Sequence, residues 1–257
     1  MEKIFIKNRD GLNIAIRLSV DSKNDKLVFL MHGLGARKEY PHMLVMEEVF
    51  FQDGYNVVNI DMLDSLNESD SSEKGITLTG CYENLIDVIQ WAKQQNFYTY
   101  PFALAGQSLG ACACVLYASN YPQEVNLLVT AAFPWLNGLE HPLHMSMAEK
   151  IKEKGYFDKV SKSTGRTLRI KSHYIEDMKQ YMFEDFVKNI IADTYLIIGT
   201  ADSEYHIGNN KKLYDLLTCK KELIILDGVP HDLANTPETK EKFTNALKNI
   251  FINKWRL

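Results

Sequence analysis

Phe102-Ala103-Leu104-Ala105-Gly106-Gln107-Ser108-Leu109-Gly110 is the stretch from which the fold can be read. Four apolar residues in a row suit a short strand buried on both faces, and the small and apolar residues from Leu109 to Asn120 suit a helix that follows at once. The residue between them, Ser108, therefore sits on a sharp strand-to-helix turn. Glycines two positions to either side remove the Cβ atoms that would collide where strand and helix approach. Such a turn lifts the hydroxyl clear of the backbone and places it at a helix N-terminus, where partial positive charge favours a developing anion.

Outward from this turn the chain alternates between strand and helix. Upstream, Ile4-Phe5-Ile6 and Leu12 to Val20 read as two antiparallel strands, followed by strand Leu27 to Met31, helix Pro41 to Gln52, strand Tyr55 to Ile60 and helix Thr77 to Gln95. Downstream come strand Val125 to Ala132, strand Tyr195 to Ile198, helix Asn210 to Leu217, strand Glu222 to Leu226 and helix Glu238 to Phe251. The pattern predicts an α/β fold over residues 1–257, with about eight mostly parallel strands flanked by helices. Residues 134–190 break the rhythm and are expected to form a small cap insertion: a helix near Met145 to Lys154, a hairpin across Ser163-Thr164-Gly165-Arg166, and a helix near Tyr174 to Asn189.

A serine hydroxyl is a weak nucleophile until a base holds its proton. Among seven histidines, His231 lies in a turn-rich loop just beyond the last expected strand, where a parallel sheet presents its catalytic loops. His42, His141, His144, His173 and His206 fall in or beside helical segments and read as structural or substrate-facing. Asp202 ends the loop after strand Tyr195 to Ile198 and satisfies the order serine, acid, histidine; Glu204, Asp227 and Glu140 are its rivals. His32-Gly33-Leu34-Gly35 directly follows a buried strand, so the amides of Leu34 and Leu109 are the expected oxyanion donors, each such donor contributing about 3 kcal/mol. His32 itself reads as a fixer of the loop backbone.

With strand-H-G-L-G, strand-G-Q-S-L-G-helix, strand-G-T-A-D and G-V-P-H in order, the whole chain resembles the α/β-hydrolase superfamily of serine hydrolases. Asn67-Glu68-Ser69-Asp70 is similar to the G-E-S-D ending of a loop in bacterial cinnamoyl (feruloyl) esterases, which carry an insertion of similar size at the place of residues 134–190. That likeness implies a carboxylic-ester hydrolase working through an acyl-enzyme. Two departures stand out: G-H-S-x-G-G reads Gly106-Gln107-Ser108-Leu109-Gly110-Ala111, and D-x-x-G-x-G reads Asp61-Met62-Leu63-Asp64-Ser65-Leu66. Thr77-Leu78-Thr79-Gly80 and His231-Asp232-Leu233 look equally like acyl-carrier thioesterases of the luminescence type, so a thioesterase acting on acyl-coenzyme A or an acyl-carrier protein is the alternative. A hydrolase-fold binding protein without chemistry is a minor third reading. Trp135, Leu136, His141 and His144 are expected to line the substrate pocket, and no cofactor or metal is called for.

Composition narrows the class further. The 257 residues are 46% hydrophobic and 24% charged with a formal net charge of −4, which suits a globular domain and gives no basic surface for nucleic acid. The N-terminus carries charges where a signal peptide would be apolar, and no apolar run reaches membrane-spanning length, so the chain reads as cytoplasmic with a small-molecule ester or thioester as its partner. Cys81, Cys112, Cys114 and Cys219 lack metal or redox spacing and read as core thiols. The stretch from His141 to Ser172 carries Lys150, Lys152, Lys154, Lys159, Lys162, Arg166, Arg169 and Lys171, a local basic excess that reads either as a solvated face or as a surface for an acidic acyl carrier.

Overall fold

A computed structural model describes residues 1–134, 142–161 and 165–254, with the side chains of residues 142–144, 253 and 254 left aside. Eight strands form one sheet: β1 (Glu2–Lys7), β2 (Asn13–Ser19), β3 (Lys26–Met31), β4 (Tyr55–Asp61), β5 (Phe102–Gln107), β6 (Val125–Ala131), β9 (Asp193–Gly199) and β10 (Lys221–Leu226), while β7 (Tyr156–Val160) and β8 (Thr167–Lys171) form a separate hairpin. Their spatial order is β1-β2-β4-β3-β5-β6-β9-β10. The first two pairings, β1 with β2 and β2 with β4, are antiparallel and the rest parallel.

The continuous apolar strands are explained by helices on both faces. Phe29, Val58, Leu104 and Leu128 point to one side, where α2 (Leu78–Ala92) and α3 (Leu109–Asn120) lie; Val28, Val57, Ala103 and Val129 point to the other, beneath α1 (Pro41–Gln52) and α8 (Pro237–Lys254). Every residue of α3 from Leu109 to Ser119 is buried, which accounts for its run of small side chains. Cys112 and Cys114 are core thiols there, and burial pushes both well above the usual thiol range.

Between β6 and β9 the chain forms α4 (Pro142–Lys154), the antiparallel hairpin of β7 (Tyr156–Val160) and β8 (Thr167–Lys171), α5 (Ser172–Met178) and the short α6 (Phe183–Phe186). The helix expected over Tyr174 to Asn189 is thus two pieces. The break has a tertiary cause: Asp177 accepts from the Thr79 amide at 2.9 Å, and the Thr79 hydroxyl meets both Asp177 and Tyr181. The helix expected from Asn210 also differs. It begins six residues earlier as α7 (Glu204–Leu216), because Ser203 caps it by accepting from the His206 amide.

The loop after β4 replaces the two glycines of D-x-x-G-x-G by Asp64 and Leu66, yet both residues keep positive φ, 63° and 65°. Asp64 is held there by the Ser72 amide and hydroxyl, each donating at 2.8 Å. Buried Asp61 accepts from the Glu68 and Ser69 amides, and buried Lys38 bridges Glu39, Glu68 and Asp61. Burial alone would raise the Asp61 pKa, but His32, then the Lys38 charge and the Glu68 amide, hold it well below the usual carboxylate range. Asn67-Glu68-Ser69-Asp70 is consequently a structural staple. Glu68 also pairs with Lys3, while Ser69 Oγ and Asp70 Oδ2 accept from the backbone of β2 at Ala15 and Asn13.

A close backbone contact lies where α3 meets the end of β3. A Cβ on Gly110 would stand 2.3 Å from the Met31 carbonyl oxygen and 2.4 Å from that of His32. Backbone carbonyls at a strand end cannot yield as a flexible side chain can. Gly110→Ala is therefore expected to destabilise the fold by about 3 kcal/mol or more, read as a lower urea midpoint at unchanged slope.

Candidate functional site

Ser108 follows β5 directly and caps α3 with φ 52° and ψ −120°, a conformation that side-chain-bearing residues seldom adopt. Two backbone bonds hold it: its amide donates to the Ala131 carbonyl at 2.9 Å, and its carbonyl accepts from the Cys112 amide at 3.2 Å. The strained turn is thus set by β6 on one side and the first turn of α3 on the other.

Asp202 and His231 come from neighbouring loops that the backbone ties together. Thr200 and Ala201 donate their amides to the Leu226 and Val229 carbonyls at 2.9 and 3.1 Å. A Cβ on Gly199 would fall 1.8 Å from the Val229 carbonyl oxygen, so the two strand ends touch backbone to backbone. This brings His231 Nδ1 to 2.8 Å from Asp202 Oδ2. The Gln107 side-chain Nε2 donates to the His231 carbonyl at 3.3 Å, so the glutamine that departs from G-H-S-x-G links the serine turn to the histidine loop.

The carboxylate has further partners. Its Oδ1 accepts from the Ser203 amide at 2.7 Å and stands 2.8 Å from Nδ1 of His206, one turn along α7. The two imidazoles stack, with centroids 4.7 Å apart and planes 29° from parallel. The Asp202 side chain is 3% exposed, against 16% for His206 and 34% for His231. Burial alone would raise its pKa, but the bonds to His206 and His231 hold it well below the usual carboxylate range. Among the described residues these three form the cluster able to hold a metal ion, their ligand atoms lying within 4.8 Å of one another.

His32 and Leu34 belong to the turn after β3. The Met62 amide donates to His32 Nε2 at 3.1 Å, which leaves Nδ1 as the donor to the Gly33 carbonyl at 2.9 Å; His32 is fully buried and fixes backbone on both sides. The Ala36 amide closes the turn on the Gly33 carbonyl. From above, Lys159 Nζ donates to the Leu34 carbonyl at 2.9 Å and Ser161 Oγ to that of Gly35 at 3.3 Å, so the β7–β8 hairpin grips the turn from which the Leu34 amide was expected to act. Leu109 is buried at the start of α3.

A cavity of about 410 Å³ collects these parts, lined by Leu34, Tyr40, Ser108, Lys159, Asp202 and His231 among others. A larger one of about 640 Å³, around Arg9, Ser72 and Asp177, contains none of the three residues expected to carry the chemistry. Trp135, Leu136 and His141 lie outside the described residues, as does the side chain of His144. Of the rival acids, Glu204 is exposed on α7, Asp227 Oδ1 accepts from the Thr200 hydroxyl, and Glu140 is outside the described residues. His206 is the residue that sequence reading misplaced. Its signal was the four-residue spacing from Asp202, legible only once the helix is started at Glu204.

Comparison with known proteins gives the family and the fold. The family model described as "Putative serine esterase (DUF676)" matches residues 21–185. Among solved structures the chain is similar to Est1E from Butyrivibrio proteoclasticus with ferulic acid bound, at a TM-score of 0.79 and 18% identity over 99% of this chain and 100% of that one. It is similar to alpha/beta hydrolase domain-containing protein 10 from mouse, at 0.78 and 16% over 99% and 100%. The alpha/beta hydrolase GrgF from Penicillium sp. sh18 gives 0.77 and 16% over 98% of each chain. At these identities the likenesses establish the α/β-hydrolase fold. No curated protein sequence matches the chain.

His42 supports the histidine loop from beneath and carries a pH consequence. Its Nδ1 donates to the Asp232 carbonyl at 3.1 Å, and its Nε2 is buried without a partner among the described residues. Burial, reinforced by His231 and His32, pushes its pKa down to about 3. Below about pH 6.5 the unfolded chain protonates this residue while the folded one does not, so stability falls as pH drops, by up to about 1.4 kcal/mol per pH unit. The amide of His42→Gln can donate to Asp232 without titrating. Between pH 7 and 5 its urea-derived stability is expected to fall by about 2 kcal/mol less than that of the unmodified protein.

Proposed function

Because the chain belongs to the DUF676 family of serine esterases, we propose that it hydrolyses a carboxylic ester of a small molecule with Ser108 as nucleophile, His231 as general base and Asp202 as the acid that orients the base. The observation that carries this reading is the 2.8 Å contact between His231 and Asp202 at the edge of the cavity that also holds Ser108 in its strained turn.

With Nδ1 of His231 donating to Asp202 Oδ2, Nε2 keeps the lone pair that can take the Ser108 proton. Ser108 Oγ attacks the ester carbonyl, and the amides of Leu34 and Leu109 stabilise the tetrahedral oxyanion. The intermediate collapses to an acyl-enzyme as His231 returns its proton to the leaving alcohol. Water, activated by the same nitrogen, then releases the acid. Asp202 stays ionised throughout, consistent with its lowered pKa, and stabilises the imidazolium.

We assign the elements between β6 and β9 the part of a cap, since the β7–β8 hairpin already contacts the Leu34 turn and lines the cavity. Oxygen esters are favoured over carrier-bound thioesters because several cap cations are spent within the protein. Lys159 bonds the Leu34 carbonyl, Arg166 the Leu66 carbonyl, Arg169 the Asp158 carboxylate and Lys171 the Glu73 carbonyl. Est1E holds ferulic acid, and the shared layout makes aryl esters a sensible first panel beside short alkyl esters. Among the described residues no helix is long and apolar enough to cross a membrane.

Ser108→Ala is expected to fold normally and to lose ester hydrolysis by about 10⁴-fold or more. Labelling by a fluorophosphonate probe should vanish with it. Near-normal turnover of a p-nitrophenyl ester by this variant, or failure of the unmodified protein to react with the probe, would sink the assignment.

A further inference from the structure

We propose that Asp202, His206 and His231 form a reversible inhibitory site for a divalent transition metal of the zinc class. The ligand set is two imidazole nitrogens and one carboxylate, which suits zinc and its borderline neighbours and not the hard cations magnesium and calcium. The structure brings the three ligand atoms within 4.8 Å of one another, each Nδ1 already 2.8 Å from an oxygen of the same carboxylate.

Little rearrangement is needed to admit the ion. Tetrahedral ligands at zinc distances stand roughly 3.3 Å apart, so the two nitrogen–oxygen contacts must open by about half an ångström, and the wider separations among the three ligand atoms, all within 4.8 Å, must close by up to about 1.5 Å. The parts are held for this. His206 is fixed on the first turn of α7 by the Ser203 cap, and its ring is stacked on that of His231. Both Asp202 and His231 border the cavity of about 410 Å³, which offers an entry path and room for a water as fourth ligand.

Binding switches off the base through the imidazole tautomer. Each neutral ring here carries its proton on Nδ1, the nitrogen the metal requires. When the metal takes the Nδ1 lone pairs, solvent moves each proton to Nε2, and the count of protons is unchanged. His231 then has an N–H where the Ser108 hydroxyl needs an acceptor. Asp202 meanwhile spends its charge on the ion. This part of the inference rests on the triad reading above; the binding itself does not.

The two parts are tested separately. Chelator-treated protein titrated calorimetrically with Zn²⁺ in a non-coordinating buffer is expected to take up one ion per chain, and Mg²⁺ to give no binding heat. His206→Asn keeps an amide that can donate to Asp202 but offers no imidazole, and its Zn²⁺ affinity should fall by more than about tenfold, the least that loss even of an outer partner costs. His231→Gln should show the same loss and serves where His206→Asn does not fold. Absence of Zn²⁺ binding, or unchanged affinity in either folded variant, overturns the site. In the unmodified protein, ester turnover should fall along the same titration curve and return on adding EDTA. Zinc binding that leaves turnover intact overturns the tautomer lock, whereas a failure of the triad reading registers independently as residual activity in Ser108→Ala.

Discussion

The backbone of α3 lies directly against the end of β3, with Gly110 on the carbonyls of Met31 and His32, and the geometry of the candidate site is built around that contact. It leaves no room for a gradual entry into the helix, so the chain must turn within the single residue Ser108, at positive φ. The same approach sets the His32–Gly35 turn beside the serine. The strained Ser108 turn and the neighbouring His32–Gly35 turn are thus two results of one packing constraint, stabilised by the apolar layers on either face of the sheet.

A second constraint acts at the far strand ends. The loops after β9 and β10 are joined amide to carbonyl, which fixes Asp202 beside His231. Gln107 and His42 then hold the backbone of the histidine loop at His231 and Asp232. The carboxylate between these loops is satisfied on both oxygens, and that explains how a nearly buried acid stays ionised. The loop after β4 follows the same economy: Asp61 is buried but surrounded by amides and by Lys38. Its neighbours Asp64 and Leu66 take the backbone conformation of the glycines they replace, with Asp64 held by Ser72.

The esterase class and the fold agree because both depend on local features that the chain states openly. Continuous apolar runs such as Leu27 to Met31 and Phe102 to Ala105 are buried on two faces, and a parallel sheet covered by helices is the arrangement that accepts them. Where the signal was local and weak, reading stopped short. The first two turns of α7 contain Gly208 and little apolar periodicity, so its start at Glu204 depends on the Ser203 cap. The split between α5 and α6 has no proline or glycine to announce it and follows from the Thr79 contacts to Asp177 and Tyr181.

The sequence by itself determined the order of strands and helices, the strained serine turn, and which acid and histidine occupy loops at the strand ends, because each is encoded in the periodicity or turn chemistry of a few adjacent residues. Only the tertiary structure decided that His206 shares Asp202 with His231, that Gln107 ties serine turn to histidine loop, and that Lys159, Arg166 and Lys171 bond backbone carbonyls. Those relations join residues far apart in the chain, or on a helix whose start the sequence hid. Hydrogen-bond partners across such distances are set by how the elements pack, and packing leaves no mark in the local pattern of either partner.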